Sequence, residues 1–143
     1  MAPITRRFLQ FGMAVHVLVY RLSGGQLLNV DDHIVLLTTV GRKSGQLRTA
    51  PLYSVRDGEA YVIIGSYGGS ATHPAWYHNL QACPRALVTD QGLTLPVVAE
   101  IADGAEYERL WALLTVDNPN YLRYRERTTR VLPIVRLRPA SAQ

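Results

Sequence analysis

The pattern that most restricts this chain is a repeated unit, a short apolar, β-rich run closed by a tight turn. His33 to Val40 is one such run, and Gly41-Arg42-Lys43-Ser44-Gly45 is its turn. Gln46 to Arg56 alternates well enough for a second strand, and Asp57-Gly58 is a strong hairpin signal before a third, Glu59 to Ser66. Successive strands joined by such short turns predict an antiparallel meander, because a parallel crossover needs a dozen or more residues. Arg85 to Asp90 and Leu93 to Ala102 repeat the unit across Gln91-Gly92, and Pro133 to Leu137 makes a sixth strand. Pro96 inside the fifth run predicts an edge position or a bulge, since proline cannot donate to a ladder.

Helical patterns fall between these runs. Ile4 to Leu22 reads as a helix stopped by Ser23-Gly24-Gly25. His73 to Ala82 reads as a short helix with Pro74 in its first turn. Asp103-Gly104 opens another, on which Tyr107, Leu110, Trp111 and Leu114 form an apolar stripe. Asn118-Pro119 reads as N-cap and first residue of a further short helix. The fold class expected is mainly β with peripheral helices (α+β), a small closed or split β-barrel of about six antiparallel strands. Residues 1–143 make one domain, with a frayed tail over 139–143.

Composition narrows the partners. A formal net charge of +4 favours anionic ones. The charges are spread, and no helix-turn-helix, zinc-finger or RNP pattern appears, so nucleic acid is not expected. The single cysteine, Cys83, forbids an intramolecular disulfide and fits a reducing, cytoplasmic setting. Before Pro84 it reads as a small buried apolar residue. Phe8 to Tyr20 is apolar for about 13 residues, short of the roughly 20 that span a bilayer. Its flanking Arg6, Arg7 and Arg21 suit a helix packed on the protein, or one lying peripherally on an anionic inner-membrane surface.

Four clusters carry polar chemistry. The Gly41 to Gly45 turn exposes backbone N–H groups and projects Arg42 and Lys43, while Arg48 can fold back to the same side. Arg offers a planar fork and Lys a mobile charge for phosphate or carboxylate. The same turn would also serve as a solvated hairpin tip. It is not a P-loop, for the spacing differs and no helix follows. Ser66-Tyr67-Gly68-Gly69-Ser70 allows close approach of backbone to a flat ligand, or is a plain connecting loop. His73 and His78 are five apart with no carboxylate between, so metal binding is not expected; they read as turn or surface residues. Trp76 could wall a planar ring or sit in the core. Tyr121 and Tyr124, at i and i+3, share a helix face and could hydrogen-bond or protonate a substrate, or simply pack. No G-x-S-x-G or Ser-His-Asp grouping supports hydrolysis.

Taken in order, these blocks resemble the deazaflavin-dependent nitroreductases, split-barrel proteins that use coenzyme F420. The carriers are LLTTVGRKSGQLRTAPL at Leu36 to Leu52, DGEAYV at Asp57 to Val62, SYGG at Ser66 to Gly69 and HPAWYHNL at His73 to Leu80. The resemblance implies an FMN-binding split-barrel-like fold and hydride transfer from reduced F420 to an activated enone, quinone or nitroaromatic acceptor, a small apolar electrophile. By resemblance, Arg42, Lys43, Ser44 and Arg48 match positions that hold the cofactor's phosphate and oligoglutamate tail. Thr49, Ala50, Pro51, Leu52 and Tyr53 match the strand along the deazaflavin. Ile64, Gly65, Ser66 and Tyr67 match the loop near its ring. Ala75, Trp76, Tyr77, His78 and Asn79 match the helix that closes the pocket. Tyr121 and Tyr124 match aromatic positions on the substrate side, with Tyr124 or the Ser66 backbone placed to stabilise charge on the acceptor. The chain departs from the family where Tyr67 replaces a common Lys, a change worth about 1 kcal/mol or less at an exposed pair. It departs again at Asn118, often aromatic in relatives that reduce nitroimidazoles. Two other readings use the same barrel: a non-catalytic lipid or cofactor carrier, and an FMN-dependent reductase, for which three clustered cations exceed what one phosphate requires. Exposed barrel edges also invite pairing into a homodimer.

Overall fold

A computed structural model describes residues 33–66 and 72–140. The expected helix over 4–22 with its membrane-surface alternative, Tyr67 and the end of the tail lie outside the described residues.

Among the described residues seven strands form one antiparallel sheet. In chain order they are β1 (Ile34–Val40), β2 (Leu47–Tyr53), β3 (Val55–Asp57), β4 (Ala60–Ile64), β5 (Arg85–Asp90), β6 (Leu93–Ile101) and β7 (Ile134–Pro139). Among the described residues three helices interrupt them: α1 (Ala75–Ala82), α2 (Gly104–Asp117) and α3 (Asn120–Glu126). The spatial order is β2-β1-β5-β6-β7-β4-β3. Its two edge strands, β2 and β3, are therefore neighbours in sequence, joined through Ser54 alone. A sheet whose opposite edges share one linking residue must curl back on itself, and the result is a split half-barrel.

The antiparallel split barrel is as expected, but the meander over the first three predicted strands is not. The run from Gln46 to Arg56 is two strands, not one. β2 pairs with β1 and β3 pairs with β4, and the break falls at Ser54, whose N–H donates to His33 O at 2.7 Å. The tail also differs from expectation, because Pro139 belongs to β7 and Ala140 N–H donates to Pro96 O at 3.0 Å. Pro96 lies in an interior strand, yet β7 pairs only from Val97 onward. Its missing N–H therefore faces the end of the neighbouring strand, where no ladder bond is forfeited. Pro74 is the N-cap of α1 rather than a residue of its first turn. Likewise Pro119 caps α3, with Asn118 Oδ1 accepting from Asn120 N–H at 3.1 Å.

Period-two alternation divides the core in two. Tyr61 and Ile63 of β4, with Val135 and Leu137 of β7, face one cluster that takes in Trp76 and Leu80 of α1. Val62, Ile64 and Ile134 face the other, beneath Leu110, Trp111 and Leu114 of α2 and Tyr121 of α3. Because β4 is buried on both faces, it reads as a continuous apolar run.

Candidate functional site

The turn after β1 is shaped by two glycines. Gly45 sits at φ 71°, where an L side chain is strained. At Gly41 a Cβ would lie 2.8 Å from Ser44 Oγ and 2.9 Å from Gln46 O, so only glycine fits. Gly41 N–H donates to Gln46 O at 2.7 Å and Gly45 N–H to Gly41 O at 2.8 Å, closing the turn.

Asn79 of α1 then fixes that turn to the barrel. Its Oδ1 accepts from Arg42 N–H at 3.0 Å, and its Nδ2 donates to Thr39 Oγ1 at 3.0 Å. The side chain is buried, at 5% exposure; its bond to Thr39 is buried and its bond to Arg42 partly so. Asn79 thus holds the backbone from which Arg42 projects.

The consequence is a groove of about 730 Å³ between the turn, β2 and the start of α1. Of the sequence-predicted residues, Arg42, Lys43, Ser44, Arg48, Thr49, Ala50, Pro51, Leu52, Ala75, Trp76 and Asn79 line it. Arg42, Lys43 and Arg48 are all exposed, and among the described residues no carboxylate pairs with any of them. β2 is an edge strand, so among the described residues one side of its backbone has no strand partner. The groove therefore offers unneutralised positive charge at one end and an open strand edge beside a tryptophan at the other.

Other predicted residues lie elsewhere. Tyr53 turns toward the end of α2: its hydroxyl donates to Asp117 Oδ2, and its ring stacks on His33 at 5.2 Å. Ile64 is in the second core cluster. Gly65 and Ser66 are buried just after β4, and Gly65 packs near Pro74 at the groove's rim. Tyr77 and His78 cluster with His73 outside the groove lining, with ring centroids 4.9 and 5.7 Å from it. Tyr121 is 5% exposed, its ring 6.1 Å from Tyr53 and 6.0 Å from Tyr124. Burial pushes its phenol well above the usual range, so it stays protonated. Tyr124 is half-buried, with the Arg127 guanidinium 5.8 Å from its ring centre. Cys83 is only half-buried, not buried as expected, and its thiol lies 3.8 Å from Arg85 O.

Sequence reading missed Arg130. Its guanidinium donates to Gly65 O and Ser66 O, at 2.9 and 2.8 Å, and so holds the Ser66 segment from the far side of the chain. A second cavity of about 810 Å³ lies between β3, β4 and α2. There the arginines are already matched: Arg56 Nη1 is 3.7 Å from Asp90 Oδ2, and Arg109 Nη2 is 2.8 Å from Asp57 Oδ2. Of these two cavities, the first therefore presents the unmatched cations, though the second is larger.

The fold and the groove together are a split half-barrel with a cationic turn beside an edge strand and an aromatic helix. The family model described as F420H(2)-dependent quinone reductase matches residues 13–139, and the chain belongs to that family. It is 35% identical over 129 residues to an F420H(2)-dependent quinone reductase of Mycobacterium tuberculosis, covering 86% of this chain and 87% of the relative. Among solved structures, an F420-H2 dependent reductase (FDR-A) is 38% identical with a TM-score of 0.69, covering 76% of this chain and 96% of that one. Another, described as a domain-swapped dimer, is 34% identical with a TM-score of 0.71, covering 83% and 96%. Among the described residues no helix is long and apolar enough to cross a membrane.

Proposed function

We propose that this protein reduces a quinone with reduced F420, holding the cofactor's anionic tail at the Arg42–Arg48 turn and its flat ring system along β2 and the N-terminal end of α1. The observation that carries the reading is the set of three exposed cations on one groove that have no acidic partner among the described residues. Such a set fits a ligand bearing several negative charges, and arginine forks suit phosphate and carboxylate oxygens. FMN carries a single phosphate and leaves part of that charge unused.

When bound, F420H2 supplies a hydride, which a quinone takes together with one proton to give the hydroquinone, leaving oxidised F420. The chain's own residues bind and orient. Arg42, Lys43 and Arg48 anchor the tail, Asn79 fixes the turn that bears Arg42, and Trp76 walls the groove. Binding energy gathered at the tail, remote from the reacting atoms, then holds the ring in place for transfer. Negative charge developing on the acceptor oxygen would be met by the Ser66 backbone or the Tyr124 phenol. Tyr121, buried and protonated, backs Tyr124. A homodimer is the assembly we favour, on the precedent of the swapped structural neighbour.

Titration with oxidised F420 and with FMN tests the reading. Micromolar F420 binding, with F420H2-dependent quinone reduction, is expected. Micromolar FMN binding without F420 binding would overturn it. Tyr124→Phe is expected to slow quinone reduction, and an unchanged rate with several acceptors would remove the phenol from the mechanism.

A further inference from the structure

One side chain touches both described ends of the link between β4 and α1. Arg130, in the link between α3 and β7, donates from Nη1 to Gly65 O at 2.9 Å and from Nη2 to Ser66 O at 2.8 Å. Its Nη1 also lies 2.9 Å from His73 Nδ1. A guanidinium can only donate, so Nδ1 of His73 is the acceptor and the imidazole is neutral, with its proton on Nε2. One planar fork therefore joins two backbone carbonyls at the start of the link to an imidazole near its end.

The surroundings leave little slack. Gly65 N–H donates to Pro133 O at 2.8 Å, and a Cβ at Gly65 would meet Pro133 Cγ at 2.8 Å. Gly65 and Ser66 are buried, so loss of the guanidinium would leave their carbonyls without that donor.

We propose that Arg130 is a positioning residue for hydride transfer, and that it acts by clamping Gly65, Ser66 and a neutral His73 in the geometry that faces the ring end of F420. This rests on the F420 reading above. The clamp is separate from the tail-binding turn, and so predicts a separation of effects, in which catalysis depends on Arg130 and cofactor affinity does not.

It also predicts a pH dependence. Among the described residues, the groups facing His73 are the Arg130 guanidinium, the Tyr77 ring at 4.9 Å and the His78 ring at 5.7 Å. Burial, then the charge of Arg130, then His78 hold His73 below the usual imidazole range. As pH falls through that lowered value, a second positive charge forms against Arg130 and the contact opens.

The experiment compares wild type, Arg130→Met, Arg130→Lys and His73→Gln by three readouts. These are amide hydrogen exchange of the peptide around Gly65–Ser66 in the cofactor-free protein, Kd for oxidised F420, and kcat for quinone reduction across pH. Arg130→Met is expected to speed exchange and to lower kcat about tenfold, the scale of a small misplacement at a reacting centre, with Kd within about twofold. Arg130→Lys, which keeps the charge and fewer donors, is expected to recover part of the rate. His73→Gln, whose amide oxygen can accept in place of Nδ1 but does not titrate, is expected to lose the acid limb below the usual imidazole range. Unchanged exchange or unchanged kcat in Arg130→Met overturns the clamp. An acid limb that persists in His73→Gln overturns the role of His73. If wild type binds no F420, the functional reading fails by itself, and the exchange comparison still decides whether the clamp exists.

Discussion

Two sets of basic residues on this barrel are used in opposite ways. Arg109 and Arg136 are committed internally. Arg109 sends both terminal nitrogens to Asp57, at 3.0 and 2.8 Å, and Arg136 Nε reaches the same carboxylate at 2.9 Å. Glu106 and Glu100 complete the network. It ties β3, β6, β7 and α2 together around one acid. Arg42, Lys43 and Arg48 have no such acid among the described residues and project from a turn whose backbone is fixed by Asn79. Fixing the backbone while leaving the charges unmatched is what an anion site requires, since the positive field is preserved for a partner from outside. The matched network should govern stability, and the unmatched turn should govern binding.

Variants that cross those expectations would break the comparison. Gly41→Ala should have the largest effect, because the added methyl collides with Ser44 Oγ and with the fixed carbonyl of Gln46. F420 affinity is expected to fall by about a hundredfold or more as the turn reopens; titration checks it, and a wild-type Kd would show that the turn's shape is irrelevant.

Asn79→Ala comes next. It strands Arg42 N–H and Thr39 Oγ1, and should cost about 1–3 kcal/mol of stability. F420 affinity should weaken roughly tenfold as the cationic turn loses its tether. Denaturant unfolding alongside titration separates the two losses.

Asp57→Asn should be the smallest at the groove. The two arginines hold the Asp57 carboxyl far below the usual carboxylate range, first through hydrogen bonds and then through charge. A carboxylate depressed on folding stabilises the fold above its unfolded pKa, near 4, and that contribution fades as pH drops through the folded value. The variant should therefore melt about 3–6 °C lower at neutral pH, the shift expected from roughly 1 kcal/mol, and show a flatter acid limb. Its F420 affinity should match wild type. A change in affinity without a change in melting would reverse the assigned roles.

How far these roles could be read in the sequence depended on the range of the contacts. The turn from Gly41 to Gly45 was legible because its glycines, its cations and the flanking apolar runs all lie within a few residues. The seven-strand order was not, because Leu52-Tyr53-Ser54-Val55 carries neither Gly nor Pro to mark the place where the chain leaves one sheet edge for the other. Tyr53 accordingly points to Asp117 rather than to the groove lined by Leu52. Arg130 was invisible for a different reason, as its carbonyl partners lie 64 and 65 residues away and backbone acceptors leave no trace in composition. Asn79 was placed in the pocket helix by resemblance, but its work on the Arg42 backbone follows from the packing of α1 on β1 alone.

The sharpest single measurement is F420 titration of a protein in which Arg42, Lys43 and Arg48 are all changed to Gln, at low and at high salt. A groove that grips a multiply charged tail predicts a loss of about a hundredfold or more at low salt, little remaining salt dependence and an unchanged melting temperature. Affinity within twofold of wild type in that variant would contradict the assignment of this turn as the anchor.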